Sequence, residues 1–208
     1  MKFERKTHWE KIYKASATSS KSWYQSTPTT SLKFLKQFNI AKDTKIIDIG
    51  GGDSSFIDNL INLGYQNLTV LDISESAIDK AKKRLGEQSS KVKWIVQDVT
   101  KFEPKEKYDF WHDRATFHFL TQKQDISDYI NIVHKNVNKE GILVIGTFSE
   151  KGPKKCSGLN VKQYSETSMT ALLKKFFKKV KCITTDHKTP DNTIQNFIFC
   201  SFKKLIII

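Results

Sequence analysis

Apolar residues along this chain come in two alternating patterns: short unbroken runs, and longer stretches repeating every three to four positions. Leu32, Leu35 and Phe38 repeat at helical spacing, which predicts a helix starting near Pro28. Lys45–Ile49 is a brief apolar run and predicts a buried strand. The next helix shows the face Phe56, Ile57, Leu60, Ile61 and Leu63, with Asp53 or Ser54 placed to start it and Gly64 to end it. Leu68–Leu71 predicts a second strand, Glu75–Leu85 a helix stopped by Gly86, Val92–Val96 a third strand and Lys107–His112 a fourth. A helix over Gln124–Asn136 precedes the strand Gly141–Phe148, apolar enough for a sheet centre. After the loop Ser149–Gln163 come a helix over Glu166–Phe177 and two β-like runs, Lys178–Thr185 and Ile194–Lys203. The turn-rich Lys188-Thr189-Pro190-Asp191-Asn192 between them predicts a hairpin.

Strands alternating with helices and closing on a hairpin predict an α/β sandwich with an antiparallel strand at its edge. Early strands wind outward one way and later ones the other, so the switch point falls at the C-terminal end of the first strand. There stands Ile49-Gly50-Gly51-Gly52-Asp53. Three glycines remove every β-carbon from the turn, and the helix behind it starts with unpaired N–H groups. About twenty residues further on, the second strand ends in Asp72, the spacing at which an acid holds a ribose hydroxyl. Asp48, Asp72, Asp98 and Asp113 all lie near strand ends, the last three on the rim where open parallel sheets bind ligands. Asp98, with the N–H of Val99, suits the amine and ring of adenine; each acid alone could begin a turn or cap a helix, and their coincidence at one rim favours the ligand.

The 208 residues fit one domain. The expectation is a segment 1–27 followed by a core 28–208. In the N-terminal segment, His8-Trp9-Glu10-Lys11-Ile12-Tyr13 and Trp23-Tyr24 flank a Ser/Thr/Lys stretch, Ser16 to Ser22, which has the composition of a mobile segment. These aromatics either cap the core or form a flap over a pocket. No apolar run is long enough to span a bilayer, and Met1 to Lys6 lacks the apolar segment of a secretory signal. The tail from Leu205 to Ile208 is too short for an anchor. Three cysteines without metal spacing argue against a disulfide framework and for a reduced, cytoplasmic protein without a metal site. Net charge is +13, but lysine is spread along the whole chain and no aromatic-studded basic tract appears. That distribution reads as solvated surface and disfavours nucleic acid as partner.

The series Ile46-Ile47-Asp48-Ile49-Gly50-Gly51-Gly52, Val70-Leu71-Asp72-Ile73-Ser74, Gln97-Asp98-Val99, Tyr108-Asp109-Phe110-Trp111 and Lys139-Glu140-Gly141-Ile142-Leu143 resembles the class I S-adenosylmethionine-dependent methyltransferases. The N-terminal His8-to-Tyr13 and Ser22-Trp23-Tyr24 segments are similar to a subset that includes the lysine methyltransferases of elongation factor 1A and bacterial relatives. The resemblance implies a Rossmann-like three-layer sandwich with a seven-stranded, mostly parallel sheet and an antiparallel C-terminal strand. It implies S-adenosylmethionine as cofactor, held by Asp48, Gly50, Gly51, Gly52, Asp72, Ile73, Asp98 and Val99, with Trp9, Tyr13 and Trp23 enclosing it. Two departures matter. Ser54 stands where the family usually has a further glycine, and Ser55 where a nicotinamide-binding loop would want one. After the fourth strand, His112-Asp113-Arg114-Ala115 replaces the Asn/Asp-Pro-Pro-aromatic signature of nucleobase and glutamine amine methyltransferases.

Methyl transfer from a sulfonium is an in-line displacement, so alignment and water exclusion do most of the work. A protonated acceptor must also lose a proton. His112, Asp113 and Arg114 are the candidate catalytic groups, Arg114 also able to bind an anion. Tyr24, His118 and Cys156 are candidate substrate contacts. Against these stand plainer readings: His118 packed among aromatics, His112 satisfied at a strand end, Asp113 paired with Arg114, and Cys156 a pocket-lining thiol. Cys182 and Cys200 read as small core residues, and His187 as a weaker candidate. The acceptor expected is a small molecule (a thiol or sulfide, an amine or a carboxylate), with protein lysine as the alternative. A cofactor-binding protein without catalysis is the second alternative.

Overall fold

The computed structural model describes residues 4–15 and 17–206. Residues 1–3, Ser16 of the Ser/Thr/Lys stretch and the last two residues of the apolar tail lie outside the described residues. The chain runs α1 (Arg5–Ala15), α2 (Thr29–Gln37), β1 (Lys45–Ile49), α3 (Phe56–Asn62), β2 (Asn67–Asp72), α4 (Glu75–Leu85), β3 (Val92–Val96) and β4 (Tyr108–Arg114). It continues through α5 (Lys123–Asn136), β5 (Val137–Phe148), the short β6 (Lys155–Cys156) and β7 (Leu159–Asn160), α6 (Glu166–Leu173), β8 (Phe177–Lys188) and β9 (Ile194–Lys204). Seven strands form one sheet in the order β3-β2-β1-β4-β5-β9-β8.

Neighbouring positions on a strand face opposite ways, and both faces here are apolar. Phe110, Val144 and Val70 pack with Phe34, Ile57 and Leu60 on one side. Trp111, Leu143 and Ile145 pack with Tyr129, Val133 and Met169 on the other. Two helical layers therefore sandwich the sheet, which is why β1, β2 and β5 read as unbroken apolar runs. β1, β2, β3, β4 and β5 pair in parallel, and β1 lies between β2 and β4. The order reverses at β1, and its C-terminal end opens the crevice.

Several expectations are corrected. The antiparallel strand, β9, lies inside the sheet between β5 and β8 rather than at its edge. Phe197 and Phe199 on one face of β9 and Ile198, Cys200 and Phe202 on the other are all buried, so an edge position would have exposed them. β8 takes the edge, with Lys178, Lys179 and Lys181 exposed, as edge strands require. Cys182 and Cys200 face each other directly in this hairpin and form a disulfide, with Cα atoms 4.1 Å apart. Cross-strand register joins two cysteines 18 positions apart, a pairing no local spacing reveals. The helix expected to reach Phe177 stops at Leu173, because Phe177 already opens β8. Neither Asp53 nor Ser54 is the N-cap of α3; that position belongs to Ser55, while the Ser54 hydroxyl accepts from the Phe56 N–H at 3.1 Å. No helix among the described residues is long and apolar enough to cross a membrane.

Gly146 is paired with Phe199 across β5 and β9, and a β-carbon there would lie 2.4 Å from the Phe199 ring. Gly146→Ala is expected to cost about 1–3 kcal/mol of stability through overpacking. Urea unfolding should give a lower midpoint at unchanged m-value; an unmoved midpoint would mean the ring turns aside freely.

Candidate active site

The glycine turn after β1 is built around close approaches. Gly50 has φ +63°, and a β-carbon on it would collide with the Thr116 hydroxyl at 1.8 Å. That hydroxyl donates to the Ile49 carbonyl at 3.2 Å, so the loop after β4 is tied to the end of β1. Gly52 has φ +39°; the space of its missing β-carbon is bounded by Asp72 Oδ2 and the Tyr13 hydroxyl. Beyond this turn lies a cavity of about 810 Å³, its open mouth included. Trp9, Tyr13, Trp23, Gly50, Leu71, Asp72, Ile73, Gln97, Asp98 and Val99 line one part of it. Arg114, Ala115, Thr116, Phe119, Leu120, Phe148, Cys156 and Gln195 line the rest, with Arg5 at the side.

The N-terminal arm forms the cover. Arg5, Trp9 and Tyr13 recur every fourth residue of α1, and all three face the cavity. The Trp9, Tyr13 and Trp23 rings meet at 6.1–6.2 Å, and Trp9 sits edge-on to Phe119 at 4.8 Å. Polar bonds hold the arm down. Glu10 accepts from the Glu75 N–H at the start of α4, where a carboxylate suits the helix dipole. Arg5 reaches Asp98 at 3.3 Å and also bonds Asp125. Within the Ser/Thr/Lys stretch, Thr18–Ser20 makes a 3₁₀ turn. The Thr18 hydroxyl donates to Asp53, and the buried Lys21 ammonium donates to the Ile12 carbonyl while lying against the Tyr13 and Trp23 rings. His187, on β8, donates from Nε2 to the Ser22 carbonyl and accepts at Nδ1 from the Gln25 amide, and so fastens the arm to the hairpin.

The sequence-derived candidates do not all meet in one place. Trp9, Tyr13, Trp23, Gly50, Asp72, Ile73, Asp98, Val99, Arg114 and Cys156 share the cavity. Asp48, Gly51 and His112 lie behind the turn instead, with His112 between Asp48 (Nδ1 to Oδ1, 2.7 Å) and Ser31 (Nε2 to Oγ, 2.9 Å). Serine, histidine and aspartate are in the order of a nucleophilic triad, but Ser31 is only 1% exposed and is not among the residues that line the cavity. Tyr24 lies outside the cavity, in a surface recess beside β8. His118 is fully buried against Phe119 and Phe148, its Nδ1 accepting from the Phe148 N–H, and burial pushes its pKa down to about 3. Asp113 and Arg114 do not pair. Asp113 accepts from the Tyr129 hydroxyl and the N–H groups of Thr116 and Phe117, whereas Arg114 donates to the Trp23 carbonyl at 2.9 Å. Successive strand residues point to opposite faces, which separates the two charges. Asp98 Oδ1 caps Thr100 and its Oδ2 meets Arg5, so its side chain is already engaged. Arg5, Phe119, Phe148 and Gln195 went unrecognised as cavity residues. The four-residue spacing from Arg5 through Trp9 to Tyr13 was the available signal for Arg5; Gln195, on a hairpin that folds back to the rim, has none.

Two buried acids have their pKa raised above the usual carboxylate range. Burial raises Asp72 to about 7, against the opposing Ser74 N–H bond, with Asp53, Asp48 and Glu10 adding repulsion. Burial likewise raises Asp113 to about 6, against the Tyr129, Phe117 and Thr116 bonds. A carboxyl whose folded pKa exceeds its unfolded value binds its proton more tightly when folded. Its contribution to stability is complete below about pH 4 and lost as pH rises through 6 to 7. The ligand-free protein should therefore lose stability to urea between pH 5 and pH 7.5 from these groups, and Asp72→Asn should flatten that slope. An unchanged slope in the variant would place Asp72 in a more solvated site.

The profile of a family described as "Methyltransferase domain" matches residues 40–196, most of the chain. Among curated relatives, malonyl-[acyl-carrier protein] O-methyltransferase 2 of Ilyobacter polytropus is 29% identical over 106 residues, 50% of this chain and 39% of that protein. The eEF1A lysine and N-terminal methyltransferase of Mus musculus is 27% identical over 122 residues, 58% of this chain and 17% of that protein. The chain thus spans about two fifths of the malonyl relatives it matches. The N-methyltransferase NodS from Bradyrhizobium japonicum WM9, solved with S-adenosyl-L-homocysteine, superposes with a TM-score of 0.76 at 17% identity, covering 98% of this chain and all of that one. At that identity the likeness is one of fold. With the family profile spanning the glycine turn, the rim acids and the strands beneath them, the chain belongs to the methyltransferase-domain family, on the fold of the S-adenosylmethionine-dependent enzymes.

Proposed function

We propose that this chain transfers a methyl group from S-adenosylmethionine to a small-molecule acceptor. The observation that carries the reading is the covered cavity itself: a nucleoside-sized space on the sheet rim, roofed by Trp9, Tyr13 and Trp23 of an arm bonded down at several points. Its lining fits the cofactor. Asp72 uses Oδ1 to accept from Ser74 and lines the cavity, a ready acceptor for a ribose diol. Ile73 and Val99 offer apolar walls for a flat base, and the bare Gly50 permits close approach. The aromatic faces of the roof favour a cation, and a sulfonium is one. When bound, the cofactor would supply an electrophilic methyl group. The protein's own part is to align the acceptor and to keep water out; α1 and the segment around Trp23 serve as the cover that does the second. A roofed cavity favours a compact acceptor over a side chain on a folded protein.

S-adenosylhomocysteine should raise the melting temperature, and Asp72→Ala should remove most of the shift; no shift in the parent protein would overturn the cofactor reading. Ribose hydroxyls bond the ionised form of Asp72, so affinity by calorimetry should fall as pH drops below about 7. With a radiolabelled methyl donor and cell extract, label should enter the low-molecular-weight fraction. Label confined to protein would favour a lysine acceptor instead, and label in neither fraction a non-catalytic role.

A further inference from the structure

We propose that the acceptor is a small carboxylic acid, bound by Arg114 and Gln195 at the end of the cavity over β4, β5 and β9, and methylated on its carboxylate oxygen. The inference rests on the methyltransferase reading above and names its acceptor.

Position comes first. The cavity lining follows the sheet order: Asp98 beyond β3, Asp72 at the end of β2, Gly50 beyond β1, Arg114 on β4, Phe148 on β5 and Gln195 on β9. β9 is antiparallel, so its N-terminal end, with Gln195, reaches the same rim as the C-terminal ends of the others. Four strand spacings separate β2 from β9, about 19 Å. A nucleoside anchored at Asp72 leaves the β5–β9 end for a second molecule.

That end carries an uncompensated cation. Among the described residues no carboxylate lies within 4.0 Å of the Arg114 guanidinium, whose hydrogen bond goes to the Trp23 carbonyl and whose flank lies 5.5 Å from the Phe197 ring. The neighbouring acids are committed elsewhere, Asp113 to Tyr129 and Asp48 to His112. Burial pulls the Arg114 pKa down to about 10, with Asp48 opposing at longer range, and no carboxylate of the described residues is in ion-pair contact with it. A guanidinium has five donors in a planar fork that matches a carboxylate, and one short of partners in the interior gains from meeting one. Gln195 supplies the second sign: it is 8% exposed, lines the cavity, and its Oε1 has no hydrogen-bond partner. Buried amide atoms left unpartnered point to a missing ligand or water, and a turned amide offers N–H donors to an anion.

The same wall lacks a base. Its titratable groups are Arg114 and Cys156, and burial pushes the thiol up, keeping it neutral. His118 beside it is pushed too low to take a proton, and both ring nitrogens of His112 are already engaged, by Asp48 and Ser31. An ammonium or hydroxyl acceptor would keep its proton here, whereas a carboxylate has none to lose. A lone pair on the carboxylate oxygen forms the new bond to the methyl carbon as the carbon–sulfur bond breaks and leaves its electron pair on sulfur. Products are a neutral methyl ester and a neutral thioether, and no proton moves.

The test uses the full chain with tritiated-methyl S-adenosylmethionine and a deproteinised small-molecule extract. Label should be released as volatile methanol by mild base, the mark of a methyl ester. Base-stable label, or label in protein alone, would overturn the carboxylate while leaving methyl transfer intact. No transfer while S-adenosylhomocysteine still shifts the melting temperature would overturn the acceptor only; absence of that shift would remove the reading beneath it. A binding readout stands beside activity. Sodium benzoate or hexanoate should further stabilise the protein saturated with S-adenosylhomocysteine, and benzylamine or hexylamine should not; equal effects, or none, would count against the proposal. Gln195→Glu places a like charge against the acceptor, and should raise the KM for the labelled acid about tenfold or more while the S-adenosylhomocysteine shift is kept. Arg114→Lys keeps the charge without the fork and should do so less severely. An unchanged KM in both variants would exclude this end of the cavity.

Discussion

The buried contact between Asp48 and His112 fixes the frame on which the rim is built. Asp48 sits on β1 and His112 directly opposite on β4, and the imidazole reaches on to Ser31 of α2. One chain of hydrogen bonds thereby ties two central strands to the helical layer at the point where strand order reverses. Asp48 also explains the middle glycine of the turn, since a β-carbon on Gly51 would lie 2.5 Å from its carboxylate. With the acid packed under the turn, Gly50 and Arg114 leave their strands at defined positions on the cavity wall. A buried carboxylate with a satisfied partner is costly to break and well suited to holding geometry.

How much of this was legible in the sequence follows from the range of each interaction. β1, β2 and β3, their terminal acids and the glycine turn are set by side chains within a few positions, and their boundaries read correctly or to within one residue. Gly50, Asp72, Ile73, Asp98 and Val99 share the rim cavity for the same reason, whereas Asp48 and Gly51 lie behind the turn. What could not be read is partner choice across long separations. Asp113 looks like the natural partner of Arg114 until strand alternation turns it toward Tyr129, and the Thr18 hydroxyl finds its acceptor in Asp53, 35 positions away. The disulfide and the interior place of β9 both depend on register, which composition does not carry. Gln195 reaches the cavity only because β9 runs backwards beside β5.

The arm illustrates how a polar segment becomes part of an apolar site. Trp9, Tyr13 and Trp23 bury one another, while the charges that accompany them are spent on the body: Glu10 on the start of α4, Arg5 on Asp98 and Asp125, Lys21 on the arm's own backbone. Each tie is modest alone. Together they hold the roof against the rim without a continuous hydrophobic interface, which leaves the arm separable from the sheet if several bonds open together.

Charge is distributed along the cavity in a way that bears on the order of events in the proposed reaction. The acids at the ends of β2 and β3 lie at one end and Arg114 at the other, with the aromatic roof between. A sulfonium entering that space meets a buried cation, and the repulsion is relieved when an anion lies between the two. Arg114 holds a charged carboxylate more tightly than the neutral ester that replaces it, so the contact favours binding over acceleration of the transfer step. Its benefit lies at either end of the cycle: it selects an acceptor that needs no base, and it loosens its grip once the charge it recognises is gone.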